Sequence, residues 1–200
     1  MRIRRAFSLI EVVLASTLLL LLLGTLVSIL IPMLRASEKG NELSDLRQMA
    51  ALCLETVAED VEQSGAAGMA VYSTPGIPQA LSVHQVLGLN ADGSALWERT
   101  VRLYAWDQPA RRVDRHVFPP VGPGVTAPTQ AKPYRFLLPE LAAALGSPRQ
   151  MLASDVVKFE VSGLSTHGLK PPLVLSIELH RNNSSFTLQQ SALPGVRNLH

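Results

Sequence analysis

Ala6-Phe7-Ser8-Leu9-Ile10-Glu11 opens a stretch that then runs from Val12 to Leu34 without a charged residue. Those 23 positions, at about 1.5 Å per helical residue, cover roughly 34 Å, enough to cross a hydrocarbon core of about 30 Å. Arg2, Arg4 and Arg5 stand immediately before it. By the positive-inside rule they hold the N-terminus in the cytoplasm and place the rest of the chain beyond the inner membrane. An ordinary secretory signal fits less well, because its apolar region runs to about 7–15 residues. A plain anchor accounts for the apolar run and the arginines but not for Glu11. An ionisable group at the membrane edge is costly and points to a partner.

The segment Arg4-Arg5-Ala6-Phe7-Ser8-Leu9-Ile10-Glu11-Val12-Val13 resembles the processing site of type IV prepilins and type II secretion pseudopilins. The resemblance covers about ten residues of motif, and nearly thirty with the apolar run, at the resolution of a helix-length pattern. It implies that a prepilin peptidase cuts between Ala6 and Phe7, which makes Glu11 the fifth residue of the mature chain. The family usually has Gly before the cut, where Ala6 stands here. It also implies a pilin-like fold, N-methylation of Phe7, and assembly with other pilins or pseudopilins through the N-terminal helix. The physical logic is independent of the name. A new α-amino group at Phe7 has a reference pKa of about 7.7–8.0 and is largely cationic near neutrality. Glu11, one helical turn deeper, would pair with that amine on a neighbouring subunit, since opposite charges attract strongly where water is scarce. The alternative is a glutamate solvated among headgroups with no role.

The chain has 200 residues, which suits one domain beyond the anchor. Apolar residues make up 47 %, a value inflated by the N-terminal run. Taking the three leader arginines from the net charge of +2 leaves −1, so the basic character belongs largely to the leader. Cys53 is the single cysteine. An internal disulfide is therefore excluded, and an exported domain must be held by its core. Major pilins of the resembling family staple a C-terminal loop with a cysteine pair. Its absence favours a minor pilin or a pseudopilin.

The expected organisation is a leader over 1–6, a membrane-spanning helix over 7–34, its amphipathic continuation over 35–64, and a β-rich domain over 65–200. Gly24 and Pro32 interrupt the helix, and Pro32 favours a kink by leaving the Ser28 carbonyl without its donor. Leu43, Leu46, Ala50, Cys53, Val57 and Val61 recur at spacings of three and four, which draws one apolar face. Cys53 lies on that face and reads as a buried structural thiol. Ser64-Gly65 then stops the helix. Beyond it the period becomes two. Val101–Trp106, Val157–Val161 and Leu173–Leu179 alternate cleanly; Val113–Phe118, Tyr134–Leu138 and Phe186–Gln190 are shorter candidate strands. Asp107–Ala110 and Arg181–Ser184 read as hairpin connections. Gly65–Gly93 is a mixed connection with one short strand near Leu81–Val86, and Pro119–Pro133 is a proline-rich loop. Helix first and antiparallel strands after it make an α+β fold, a sheet packed on the helix's C-terminal half. Val101-Arg-Leu-Tyr104, Ala153–Glu160 and Pro172–Leu179 loosely resemble the strands of the J component of type II secretion and of W-type minor pilins.

No catalytic constellation emerges. His84, His116, His167, His180 and His200 show no metal-ligand spacing. Gly163–Gly168 lacks a G-x-S-x-G elbow. Asn90-Ala-Asp-Gly-Ser94 lacks the spaced carboxylates of a calcium loop and reads as a polar turn. No cofactor, metal or enzymatic activity is expected. Residues 96–136 carry seven basic residues against three acidic ones. Arg99, Arg102, Arg111, Arg112 and Arg115, beside Trp97, Tyr104 and Trp106, make a candidate nucleic-acid contact in a DNA-uptake filament. The plainer reading is a solvated sheet face whose arginines discourage edge pairing. The functional expectation is a structural minor pilin or pseudopilin of a secretion, pilus or competence machine. Its rivals are a DNA-binding minor pilin and a monomeric single-pass anchored protein.

Overall fold

The computed structural model describes residues 9–73, 79–118, 129–130, 133, 135–147, 149–165 and 168–195. The Ala6–Phe7 junction and most of the proline-rich loop lie outside them. The chain divides into two units, Met1–Glu42 and Leu43–His200, and one helix, α1 (Leu9–Glu62), contributes to both. In the first unit α1 is helical through Gly24 and Pro32, so neither residue ends it. Its residues 9–41 are exposed throughout, Leu9 and Met33 at 86 % and 69 %. This is the one helix among the described residues long and apolar enough to cross a membrane. The four hydroxyl side chains between Leu9 and Leu34 turn back onto their own backbone. Ser16 donates to the Val13 carbonyl, Thr17 to Val13 and Leu14, Thr25 to Leu22 and Ser28 to Thr25. A hydroxyl satisfied in this way adds little cost to an apolar setting.

In the second unit α1 is followed by β1 (Ser64–Tyr72), β2 (Gln79–Leu89), β3 (Ala95–Asp107), β4 (Arg112–Phe118), β5 (Thr129–Gln130), α2 (Leu138–Leu145), β6 (Arg149–Ser154), β7 (Val156–Ser165), β8 (Gly168–Arg181) and β9 (Ser184–Ala192). All pairings are antiparallel. One sheet has the order β1-β2-β3-β4-β6 with β5 beside β3, and a second the order β7-β8-β9. Leu46, Cys53, Leu54, Val57 and Val61 of α1 are fully buried in a core shared with both sheets. In β8, Leu173, Leu175, Ile177 and Leu179 enter that core while Val174, Ser176 and Glu178 stay half-buried, the outcome their alternation requires. The opposite face of the first sheet carries a smaller core, where Val101, Leu103 and Ala105 meet Phe136, Leu141 and Ala144. An α+β layout, a long apolar N-terminal helix followed by an antiparallel sheet domain, is therefore observed, with two sheets rather than one.

Two local expectations need correction, and one further strand has no counterpart among them. The expected strand Tyr134–Leu138 is not seen over its described part, Tyr134 lying outside the described residues: Arg135–Leu137 have no regular structure and α2 begins at Leu138. Pro139 and Glu140 stand in the first turn, and the Glu140 carboxylate accepts the Leu137 N–H at 2.8 Å, a helix-starting device that outweighs the short apolar run. Ser64-Gly65 does stop α1, but the chain passes directly into β1, where a connection was expected. Its small residues let the Trp97 ring lie against the strand, so that a Cβ on Gly68 would fall 2.2 Å from the indole. Arg149–Ser154, which has no alternation, nevertheless pairs with β4 as β6.

Candidate functional site

Two places carry charge that the fold must account for. The first is the start of α1. Glu11 is exposed and lies in the first helical turn, and Ala6 and Phe7 lie outside the described residues.

The second is a buried polar cluster around Asp60, which the sequence reading passed over. Asp60 sits three residues after Val57 and seven after Cys53, on the face of α1 that enters the core, and is only 7 % exposed. Its carboxylate accepts Gln85 Nε2 at 3.0 Å and the Tyr104 hydroxyl. Arg102 approaches at 3.4 Å and Arg115 at 3.3 Å. Gln85 also donates to Gln63 at 2.7 Å, and Arg102 pairs with Glu98 at 3.5 Å. Thus α1, β2, β3 and β4 all converge on one carboxylate. Burial, and then the Asp60 charge, push the Tyr104 hydroxyl well above its ordinary pKa, so it remains protonated and donates. The arrangement ties helix to sheet: one carboxylate engages two guanidiniums, an amide and a hydroxyl from three strands.

This geometry also shows where the candidate nucleic-acid arginines go. Arg102 and Arg115 turn toward Asp60. Arg112 binds Asp107 at 3.1 Å and Asp114 at 2.8 Å. Arg111 stands at φ 51° in the β3–β4 turn; its guanidinium donates to the His180 carbonyl and its own carbonyl accepts Val156 N–H. It therefore ties the hairpin to the second sheet. Arg99 is half-buried and makes no ion pair among the described residues. The basic excess is real in the sequence, yet three of the five guanidiniums already have carboxylate partners. The acid that organises two of them lies over forty residues upstream, which is why spacing alone could not find it.

Cys53 and His84 are buried. Burial pushes the Cys53 thiol up to about 12, leaving essentially no thiolate at neutrality. His84 is fully buried. Its Nε2 faces the Glu98 carbonyl and its ring lies 5.3 Å from Trp97 at 30°. Burial lowers its pKa, against a smaller opposing effect of Glu98. Asn90–Ser94 closes on itself, with Asn90 N–H to the Ser94 carbonyl at 2.8 Å and Ser94 N–H to Asp92 at 2.9 Å. Among the described residues no three His, Cys, Asp or Glu side chains gather as metal ligands. Comparison with protein-family models, with curated proteins and with solved structures gave no match.

Proposed function

We propose that this chain is a minor pilin or pseudopilin: cut between Ala6 and Phe7 by a prepilin peptidase, held in the bacterial inner membrane by the first half of α1, and then packed beside other pilin-type subunits in a filament or its priming tip. The observation that carries the reading is one carboxylate, Glu11, placed five residues after a small-residue–Phe junction at the head of an uncharged span. The α+β layout is compatible with it. In the second unit the buried face of α1 packs in the core, whereas among the described residues the apolar side chains of residues 9–34 are exposed. They need lipid or other helices. In this account Glu11 recruits the neighbour by pairing with its Phe7 amine, and the sheet domain, lying outside the membrane, gives the subunit its identity. The machine would be a type II secretion pseudopilus, a type IV pilus or a competence filament. DNA contact through Arg99–Arg115 is not part of the proposal, since most of that charge is internally compensated.

The test is the mature N-terminus. Mass analysis of the protein from membranes of cells with an active prepilin peptidase should find Phe7 first, N-methylated. Finding Met1–Ala6 retained there would contradict the filament reading and favour a monomeric anchored protein.

A further inference from the structure

At one margin of the sheet domain α1 and β6 do not close on each other. Asp45, Gln48, Met49 and Leu52 of α1 and Leu152 of β6 line an open groove of about 260 Å³. That is smaller than the roughly 300–1,000 Å³ typical of small-molecule pockets, and nearer the scale of a large side chain. Three features shape it. β6 is the last strand of its sheet and, among the described residues, pairs only with β4. The β4–β6 register shifts between Val113 and Asp114, leaving Leu152 with no residue opposite; such a bulge re-aims a side chain, here into the groove. The Ser154 N–H has the Met49 sulfur as acceptor at 3.2 Å. A thioether is a weak acceptor on a flexible side chain, and a backbone carbonyl would serve that N–H better.

We propose that this groove takes an extended segment of a partner polypeptide, one with a large apolar side chain beside a lysine or arginine. The backbone of the segment would run along the β6 edge and supply Ser154 with a carbonyl as Met49 swings aside, the mode of strand addition. Its apolar side chain would cover Leu52, which is 56 % exposed, together with Leu152. The charge preference comes from Asp45, which is exposed on the rim and has no ion-pair partner among the described residues. The bulge limits the flat edge to a few residues, so a short segment fits and a long strand does not. The inference goes beyond the filament reading and does not depend on it.

The full chain in lipid nanodiscs, labelled at the methionine methyl carbons, tests this. There are five methionines, and Met49→Leu identifies the Met49 signal. The probes are two blocked hexapeptides, Thr-Thr-Leu-Lys-Thr-Thr and its Leu-Glu counterpart. The lysine peptide should shift the Met49 signal saturably and bind about threefold tighter than the glutamate peptide, the size of an exposed ion pair. Asp45→Asn should abolish that preference, and Leu152→Glu should abolish the shift while leaving the Met69 signal in place. A Met49 signal unmoved by either peptide, or moved equally by both, would overturn the proposal. So would a Met49 shift that grows with protein concentration in the absence of peptide, which would assign the groove to a second copy.

Discussion

The apolar residues in the two halves of α1 meet opposite fates. From Leu9 to Gly40 every side chain is exposed, whereas from Leu46 onward an apolar face is fully buried beneath two sheets. Each half also carries one carboxylate that does not suit an apolar surface. Asp60 finds two arginines, a tyrosine and a glutamine within its own unit. Glu11 lies exposed in the first turn of α1. Burial within the chain marks Asp60 as architecture. Exposure at the head of an apolar span is the observation on which the proposed assembly role of Glu11 builds. Carboxylates on one helix are thus buried at Asp60, in a folding role, and exposed at Glu11, where the proposed assembly role lies.

The sharpest way to break this comparison is to remove the internal carboxylate. Asp60→Ala takes the carboxylate from Arg115 and the Tyr104 hydroxyl and one of two partners from Arg102 and Gln85, a loss of about 3–5 kcal/mol. Against a total stability of about 5–15 kcal/mol, the sheet domain should become protease-sensitive while membrane insertion stays normal. Limited proteolysis of membranes measures both; unchanged protection would mean that Asp60 does not organise the helix–sheet junction.

A smaller effect is expected at Gly68, where a Cβ would lie 2.2 Å from Trp97 and 2.6 Å from the His84 carbonyl. Gly68→Ala should cost about 1–3 kcal/mol by displacing the indole, read as a lowered Tm and altered tryptophan fluorescence. Wild-type values for both would show that the ring is not seated on β1.

The smallest effect concerns pH. Burial holds His84 below its ordinary pKa in the folded chain, while the unfolded chain titrates near about 6.5. As pH falls through that value the unfolded state takes up a proton that the folded state declines. His84 therefore lowers stability progressively on the acid side, and the loss levels off below the folded pKa. A His84→Phe variant should show a flatter profile than wild type below about pH 6.5. Parallel profiles would mean that His84 is not held neutral.

Legibility from sequence followed burial geometry. Leu173–Leu179 and Val101–Trp106 were readable because one face is buried and the other is not, so the period is written into the residues. β1, with Ser64-Gly-Ala-Ala-Gly68, carries no such contrast, because its small residues are chosen to fit the Trp97 ring rather than to alternate. α2 was hidden because Phe136–Leu138 looks like a strand until Pro139 and Glu140 are weighed as helix-starting residues. Asp60 had a local signal, a charged residue at the i+3 position from Val57 and the i+7 position from Cys53. The arginines that satisfy it come from strands far along the chain, so their charge was visible and their partner was not.

The most direct test of the account is Glu11→Ala, followed by crosslinking or co-purification with the other pilin-type subunits of the same cell. The variant keeps Ala6-Phe7 and a more apolar span, so it should insert and be cut like wild type, and its sheet domain should stay as protease-resistant. What it should lose is incorporation beside its neighbours, because the ammonium of the adjacent subunit then has no counter-charge where water is scarce; Glu11→Gln should be nearly as defective. A Glu11→Ala protein that is processed, folded and incorporated at the wild-type level would contradict the claim that this carboxylate recruits the subunit.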